Sequence, residues 1–165
     1  MSEHEKPIKH IPADRATING EIIANEVNLF PSEQFGYQVK RGDKIVARKR
    51  GFKNEVSAYD GSKDVWRTYV RTLVRRYLDD EHQNDSDIDK AKKAGRWEAV
   101  LYSAVAGITY RLTAIICEVP GGYRYELMED KREIEVGVDR SNLTETVREA
   151  CQRWVEVFNK KLANW

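Results

Sequence analysis

The most regular pattern lies near the C-terminus, where Leu143, Val147, Ala150/Cys151, Trp154, Phe158 and Leu162 recur every three or four residues. That is the spacing of one face of an amphipathic helix. Asn142 precedes it with Glu145 three residues on, the geometry of a capping box, so the helix is predicted to start near Asn142. A second stripe, Trp66, Tyr69, Val70, Leu73 and Tyr77, predicts a helix over residues 63–80 opened by Asp60-Gly61-Ser62. A third, Ile88, Ala94, Trp97, Leu101 and Ala104, predicts a helix over 87–106 stopped by Gly107.

Alternation replaces this period elsewhere. Phe35, Tyr37 and Val39 alternate, Gly42-Asp43 fits a two-residue hairpin loop, and Lys44 to Arg50 returns. Glu55 to Tyr59 reads as a third short strand. Tyr110–Val119, Tyr123–Glu129 and Arg132–Val138 read as a meander joined by Pro120-Gly121-Gly122 and Asp130-Lys131. Residues 14–30 fit two patterns: Ile22, Ile23, Val27 and Phe30 form a helical stripe, whereas Asn19-Gly20 is a hairpin signal.

These elements imply an α+β fold, antiparallel β-meanders with helices packed on one face, arranged as two βββα-type units. The expected divisions are a flexible tail over 1–12, a first hairpin–helix unit over 13–80, an acidic linker over 81–86 and an α-β-β-β-α unit over 87–165, forming one globule. Gly36-Tyr37 and Gly122-Tyr123 each lie fifteen residues before a second glycine, Gly51 and Gly137. An internal repeat and the ordinary punctuation of ββα units both account for that spacing. The α-β-β-β-α order is similar to that of the double-stranded-RNA-binding domain. Where that family carries a Lys-rich cluster, this chain has Ser141-Asn142-Leu143-Thr144-Glu145, so the similarity extends to element order alone.

Composition narrows the class. Hydrophobic residues make up 41% of 165, enough for a core. No apolar run approaches the ~18–20 residues of a membrane span, and the first residues lack a signal peptide's apolar core. The expectation is a soluble, cytoplasmic protein that uses no membrane. Cys117, in an apolar run, and Cys151, on a helix stripe, read as reduced core thiols.

Charge then changes the picture. Basic and acidic residues nearly cancel, 28 against 27, yet Lys40 to Lys53 holds seven basic side chains and one acid. Asp79 to Asp89 holds six acids and no Lys or Arg. Sorted charge of this kind makes local fields suited to a charged partner. Counted from a two-residue loop, Val39 pairs with Val46, Tyr37 with Arg48, and Phe35 lies opposite Arg50. That register places aromatics and guanidinium groups on one face, the combination that grips phosphate and stacks on bases. Arg67, Arg71 and Arg75 form a stripe on the following helix, opposite its apolar face.

The expected function is therefore non-catalytic nucleic-acid binding. Its surface would join Lys40, Arg41, Lys44, Arg48, Lys49, Arg50 and Lys53 with Arg67, Arg71 and Arg75. The alternative is a protein-binding adaptor or inhibitor that docks an oppositely charged protein through the same surfaces. Catalysis is not expected. His4 and His10 fall in the tail and His82 in the acidic loop, so no histidine is placed as a base. Glu126, Glu133 and Glu135 alternate on strands as solvent-facing acids. No Gly-rich phosphate loop occurs, and Asp85, Asp87 and Asp89 lack the glycine and glutamate of a calcium loop. No cofactor or metal is called for.

Overall fold

Strand is the commonest element of the chain. The computed structural model describes residues 5–78 and 86–165. Four strands come first, β1 (Lys9–Ile18), β2 (Glu21–Leu29), β3 (Phe35–Arg41) and β4 (Lys44–Phe52). Helix α1 (Glu55–Arg75) and one 3₁₀ turn (Arg76–Leu78) follow. After the short helix α2 (Ser86–Ala94) come β5 (Arg96–Ser103), β6 (Ile108–Val119), β7 (Gly122–Glu129), β8 (Arg132–Val136) and helix α3 (Leu143–Ala163). The eight strands belong to one antiparallel sheet ordered β4-β3-β2-β1-β5-β6-β7-β8, and the class is α+β. Both α1 and α3 are 21 residues long and each follows four strands, one more than the βββα order anticipated.

The chain divides into two compact units. One comprises the residues up to Ala16, Glu21–Val70 and Tyr102–Thr109; the other comprises Thr17–Gly20, Arg71–Leu101 and Tyr110–Trp165.

In the first unit, Ile23, Val27, Tyr37 and Val39 are buried with Ala58, Trp66 and Val70 of α1. A buried indole N–H needs an acceptor; Trp66 Nε1 donates to Ile23 O at 2.9 Å and so pins helix to strand. Polar groups share this interface. Asn25 Nδ2 donates to Ser62 Oγ (3.0 Å) and to Asp14 Oδ2 (3.3 Å), and Ser62 Oγ donates to Tyr59 O (2.9 Å). Burial first, then the neighbouring Asp14 carboxylate, pushes the Tyr59 hydroxyl up to about 12. Asn25, Ser62 and Asp14 thus satisfy one another, as burial requires.

Over the first four strands and α1, one open reading is decided and several expectations are corrected. The 14–30 stretch is a hairpin, with Asn19 (φ 48°) and Gly20 (φ 86°) in the left-handed conformations that a tight two-residue turn demands. β1 begins at Lys9, inside the expected tail, so His10 sits on a strand. Glu55–Tyr59 is the first turn of α1 rather than a strand. Asn54 Oδ1 accepts from Ser57 N (2.8 Å) and starts the helix there. Asp60-Gly61-Ser62 therefore lies within α1, where Gly61 lets the helix approach the rings of Tyr37 and Phe52. That packing outweighs the ~1 kcal/mol cost of a mid-helix glycine.

In the second unit, Ala150, Cys151, Trp154, Val155, Phe158 and Leu162 of α3 are buried. Asn142 Oδ1 accepts from Glu145 N (3.1 Å) and caps the helix as the spacing predicts. Trp154 Nε1 donates to Leu112 O (3.2 Å), and its ring meets Tyr77 edge-on at 5.0 Å. Leu143, assigned to the stripe, is exposed. The helix expected over 87–106 ends at Ala94. Gly95 (φ +69°) turns the chain, and Trp97, Ala99, Leu101 and Ser103 then alternate as the buried side of β5. Trp97 and Leu101, four apart, satisfy both periods; the exposed Ala94 and Ala104 satisfy neither. The order becomes α-β-β-β-β-α, which removes the likeness to the double-stranded-RNA-binding domain.

Neither cysteine forms a disulfide; Cys151 is buried but Cys117 only half-buried on β6. Burial and the adjacent Glu126 raise the Cys117 thiol above its ordinary pKa. Among the described residues no helix is long and apolar enough to cross a membrane. The acidic residues 79–85, with His82, and also His4 lie outside the described residues.

Two outcomes are expected. Trp154→Ala removes a fully buried ring and should lower unfolding free energy by about 3–5 kcal/mol, read from the denaturation midpoint. The Arg153 guanidinium, bonded to Glu135 at 3.0–3.1 Å, holds that carboxyl below the usual range. A depressed carboxyl stabilises the fold above its unfolded value and loses that effect as pH falls through the folded one. Glu135→Gln should thus cost up to about 1 kcal/mol at pH ~6, since the pair is partly exposed, and progressively less towards pH ~3. Equal cost at both pH values would contradict the pairing.

Candidate nucleic-acid interface

The basic hairpin forms, but its register differs from simple counting. Lys40 pairs with Ile45 and Val39 with Ala47, leaving Val46 as an extra residue; Tyr37 then faces Lys49 and Phe35 faces Phe52. A bulge of one residue sends the side chains that follow to the opposite face, until a second shift between Phe35 and Gly36 returns Phe52 to the Tyr37 side. Arg48 and Arg50 therefore leave the Tyr37 side. They lie across from Gln38 and Gly36, on the face that α1 does not cover. Lys49 takes their place on the covered side, 5.6 Å from the Phe52 ring centroid.

The open face of the first unit is polar and laced with rings. Gln38 Nε2 donates to Glu26 Oε1, and His10 Nδ1–H donates to Glu26 Oε1 (2.8 Å) and towards Asn28 Oδ1 (3.0 Å). The Arg50 guanidinium lies 4.0 Å from the Phe30 ring centroid, and its Nη2 reaches Glu5 Oε2 at 2.6 Å. Gly36 makes room for this stack, because a Cβ there would meet Phe30 and the Lys49 carbonyl. Arg50 holds the Glu5 carboxyl below its usual range. On β1, Asp14 faces α1, so its neighbour Arg15 points to the open side, where it lies 4.9 Å from the Tyr102 ring centroid.

The ten expected residues fall into separate environments. Arg41 is committed to Glu21, which raises its pKa, and Arg67 pairs with Asp64 at 3.8 Å on the covered side. Arg50 is engaged as described. Lys44, Arg48 and Lys53 are exposed and Lys40 half-buried; among the described residues none of the four makes an ion pair. Arg71 and Arg75 are exposed but belong to the second unit. Hairpin and helix stripe thus do not share one face in the first unit: Arg67 rides on α1, and Arg48 is on the other side of the strands.

Sequence reasoning missed His10, Arg15, Phe30 and Tyr102 on this face. Pro12 obscures the alternation of β1, and the spacing of Trp97 and Leu101 on β5 also fits a helix. Among the described residues no three His, Cys, Asp or Glu side chains are grouped to hold a metal ion. Comparison with known proteins finds no matching family model, no similar curated protein and no similar solved structure.

Stability should separate the two arginines of β4. Arg48→Ala should shift the unfolding free energy by no more than about 0.5 kcal/mol. Arg50→Ala forfeits the stack on Phe30, a loss of about 0.5–1 kcal/mol. Equal midpoints for the two variants in urea would show that the stack contributes nothing.

Proposed function

We propose that the protein binds nucleic acid without catalysis, through the β3–β4 hairpin and the adjoining open strand face of its first unit. The observation that carries this reading is the uneven use of acids. Glu21 and Glu5 take up Arg41 and Arg50, while Lys40, Lys44, Arg48 and Lys53 keep their charge for something outside the chain. Those four contact phosphate, and the Arg15–Tyr102 and Arg50–Phe30 stacks offer flat surfaces for bases or sugars. Arg41 and Arg67 serve the fold rather than the ligand.

Phosphate contacts release counterions, so log K falls with log salt by about 0.7–0.9 per contact. In mobility-shift titrations on random DNA and RNA, Arg48→Ala should weaken binding to all sequences alike and make that slope shallower by one contact. Arg67→Ala should leave the slope unchanged. Tyr102→Ala should lower affinity without altering the slope, because a ring contributes no counterion release. If the wild type binds neither DNA nor RNA at ~50 mM salt, the reading fails. The same cations are then a docking face for an acidic protein.

A further inference from the structure

We infer that the open strand face of the first unit takes single-stranded nucleic acid and disfavours duplexes, an inference that rests on the nucleic-acid reading above. The basic hairpin is not free to enter a groove. Every residue of β3, Phe35 to Arg41, pairs with β2, and the Gly42 N–H in the turn donates to Ile22 O at 2.8 Å. The ribbon is therefore embedded among four strands, β4-β3-β2-β1. At about 4.8 Å per strand their axes span roughly 14 Å before side chains are added. The major groove, about 12 Å wide, admits a two-stranded ribbon but not that slab.

The order of charge across the face suits bases at its centre. Arg48 lies across from Gln38 and Gln38 across from Glu26, whose carboxylate accepts from His10 at 2.8 Å. The row runs cation, amide, carboxylate, imidazole. A duplex laid flat here would bring phosphates over Glu26, like charge against like. A single strand runs its backbone past Arg48 and Lys40 and turns its bases over the centre, where the polar groups meet base edges. Apolar contact is present on the same side. Ile22 alternates with the helix-facing Ile23, Ile45 pairs with Lys40, and they expose 45% and 43% of their surface. Such side chains serve a base ring and do nothing for a phosphate. The guanidinium groups laid over Tyr102 and Phe30 add planes on which bases stack.

Fluorescence-anisotropy titration of the full chain at ~50 mM salt tests this. The probes are a labelled strand of ~12 nucleotides as DNA and as RNA, each also annealed to its complement, and an abasic DNA strand of equal length. Single strands of at least one sugar should bind about tenfold or more tighter than their duplex and than the abasic strand, as stacked bases require. His10→Ala, at a side chain 51% exposed, should weaken single-strand binding about fivefold and leave the abasic strand unaffected. Glu26→Gln keeps an acceptor for Gln38 and His10 but loses the charge, so it should narrow the single-strand preference about threefold. Duplexes bound as tightly as single strands, or an abasic strand bound as tightly as a base-bearing one, would overturn the inference while leaving nucleic-acid binding in place. So would full affinity in His10→Ala together with an unchanged preference in Glu26→Gln. Binding to none of the probes would overturn both readings.

Discussion

A buried indole must place its N–H on an acceptor, and that requirement organises both halves of the chain. Trp66 on α1 donates to the carbonyl of Ile23 on β2, and Trp154 on α3 donates to that of Leu112 on β6. Each acceptor sits on the second strand of its set of four. Donor and acceptor are 43 residues apart in one case and 42 in the other. Such a bond fixes where along the strand the helix lies, which non-directional burial alone does not. The matching spacing favours an internal repeat over coincidental punctuation, because ββα units in general do not require this bond. It is a stronger argument than the paired Gly-Tyr dipeptides, whose glycines do different jobs. Gly36 admits the Phe30 ring, whereas Gly122 admits the backbone at Arg140.

The two halves diverge where function would act. In the first, one extra residue at Val46 turns Arg48 and Arg50 away from the helix. Without the bulge those guanidinium groups would lie on the Tyr37 side, where the exposed Lys49 now stands beside Phe52. β4 is also an outer strand of the sheet. A row of Lys and Arg there discourages another chain from pairing with the edge. Edge protection alone is satisfied by charges of either sign, however. It does not explain why one acid, Asp43, stands among seven cations between Lys40 and Lys53.

What could be read from sequence follows the same physics. Helix α3, its Asn142 cap and the Gly42-Asp43 and Asp130-Lys131 turns were legible because each depends on residues close in the chain. β5 was not, since Trp97 and Leu101 fit periods of both two and four, and only the tertiary partners of Ala99 and Ser103 decide between them. Asp60-Gly61-Ser62 looked like a helix start because its local chemistry is that of a cap. The rings of Tyr37 and Phe52, distant in sequence, make Gly61 more useful inside the helix. For the candidate interface, the charge run was legible but its face was not, because a bulge leaves no reliable local signal.

The distribution of acids carries the argument one step further. Arg153 has Glu135 and Glu156, Arg140 has Glu149, and Arg111 has Glu98, so these strand and helix cations of the second unit are paired in place. The first unit applies the same device to Arg41, Arg50 and Arg67, then stops. Surface pairs contribute little to stability, so leaving Lys44, Arg48 and Lys53 without them costs the fold almost nothing. What it creates is a set of exposed cations without ion-pair partners among the described residues, whose charge acts over a Debye length of about 8 Å at physiological salt. A chain with near-zero net charge gains nothing in solubility from concentrating its cations this way. The concentration has a physical consequence only at short range, against a surface of opposite sign.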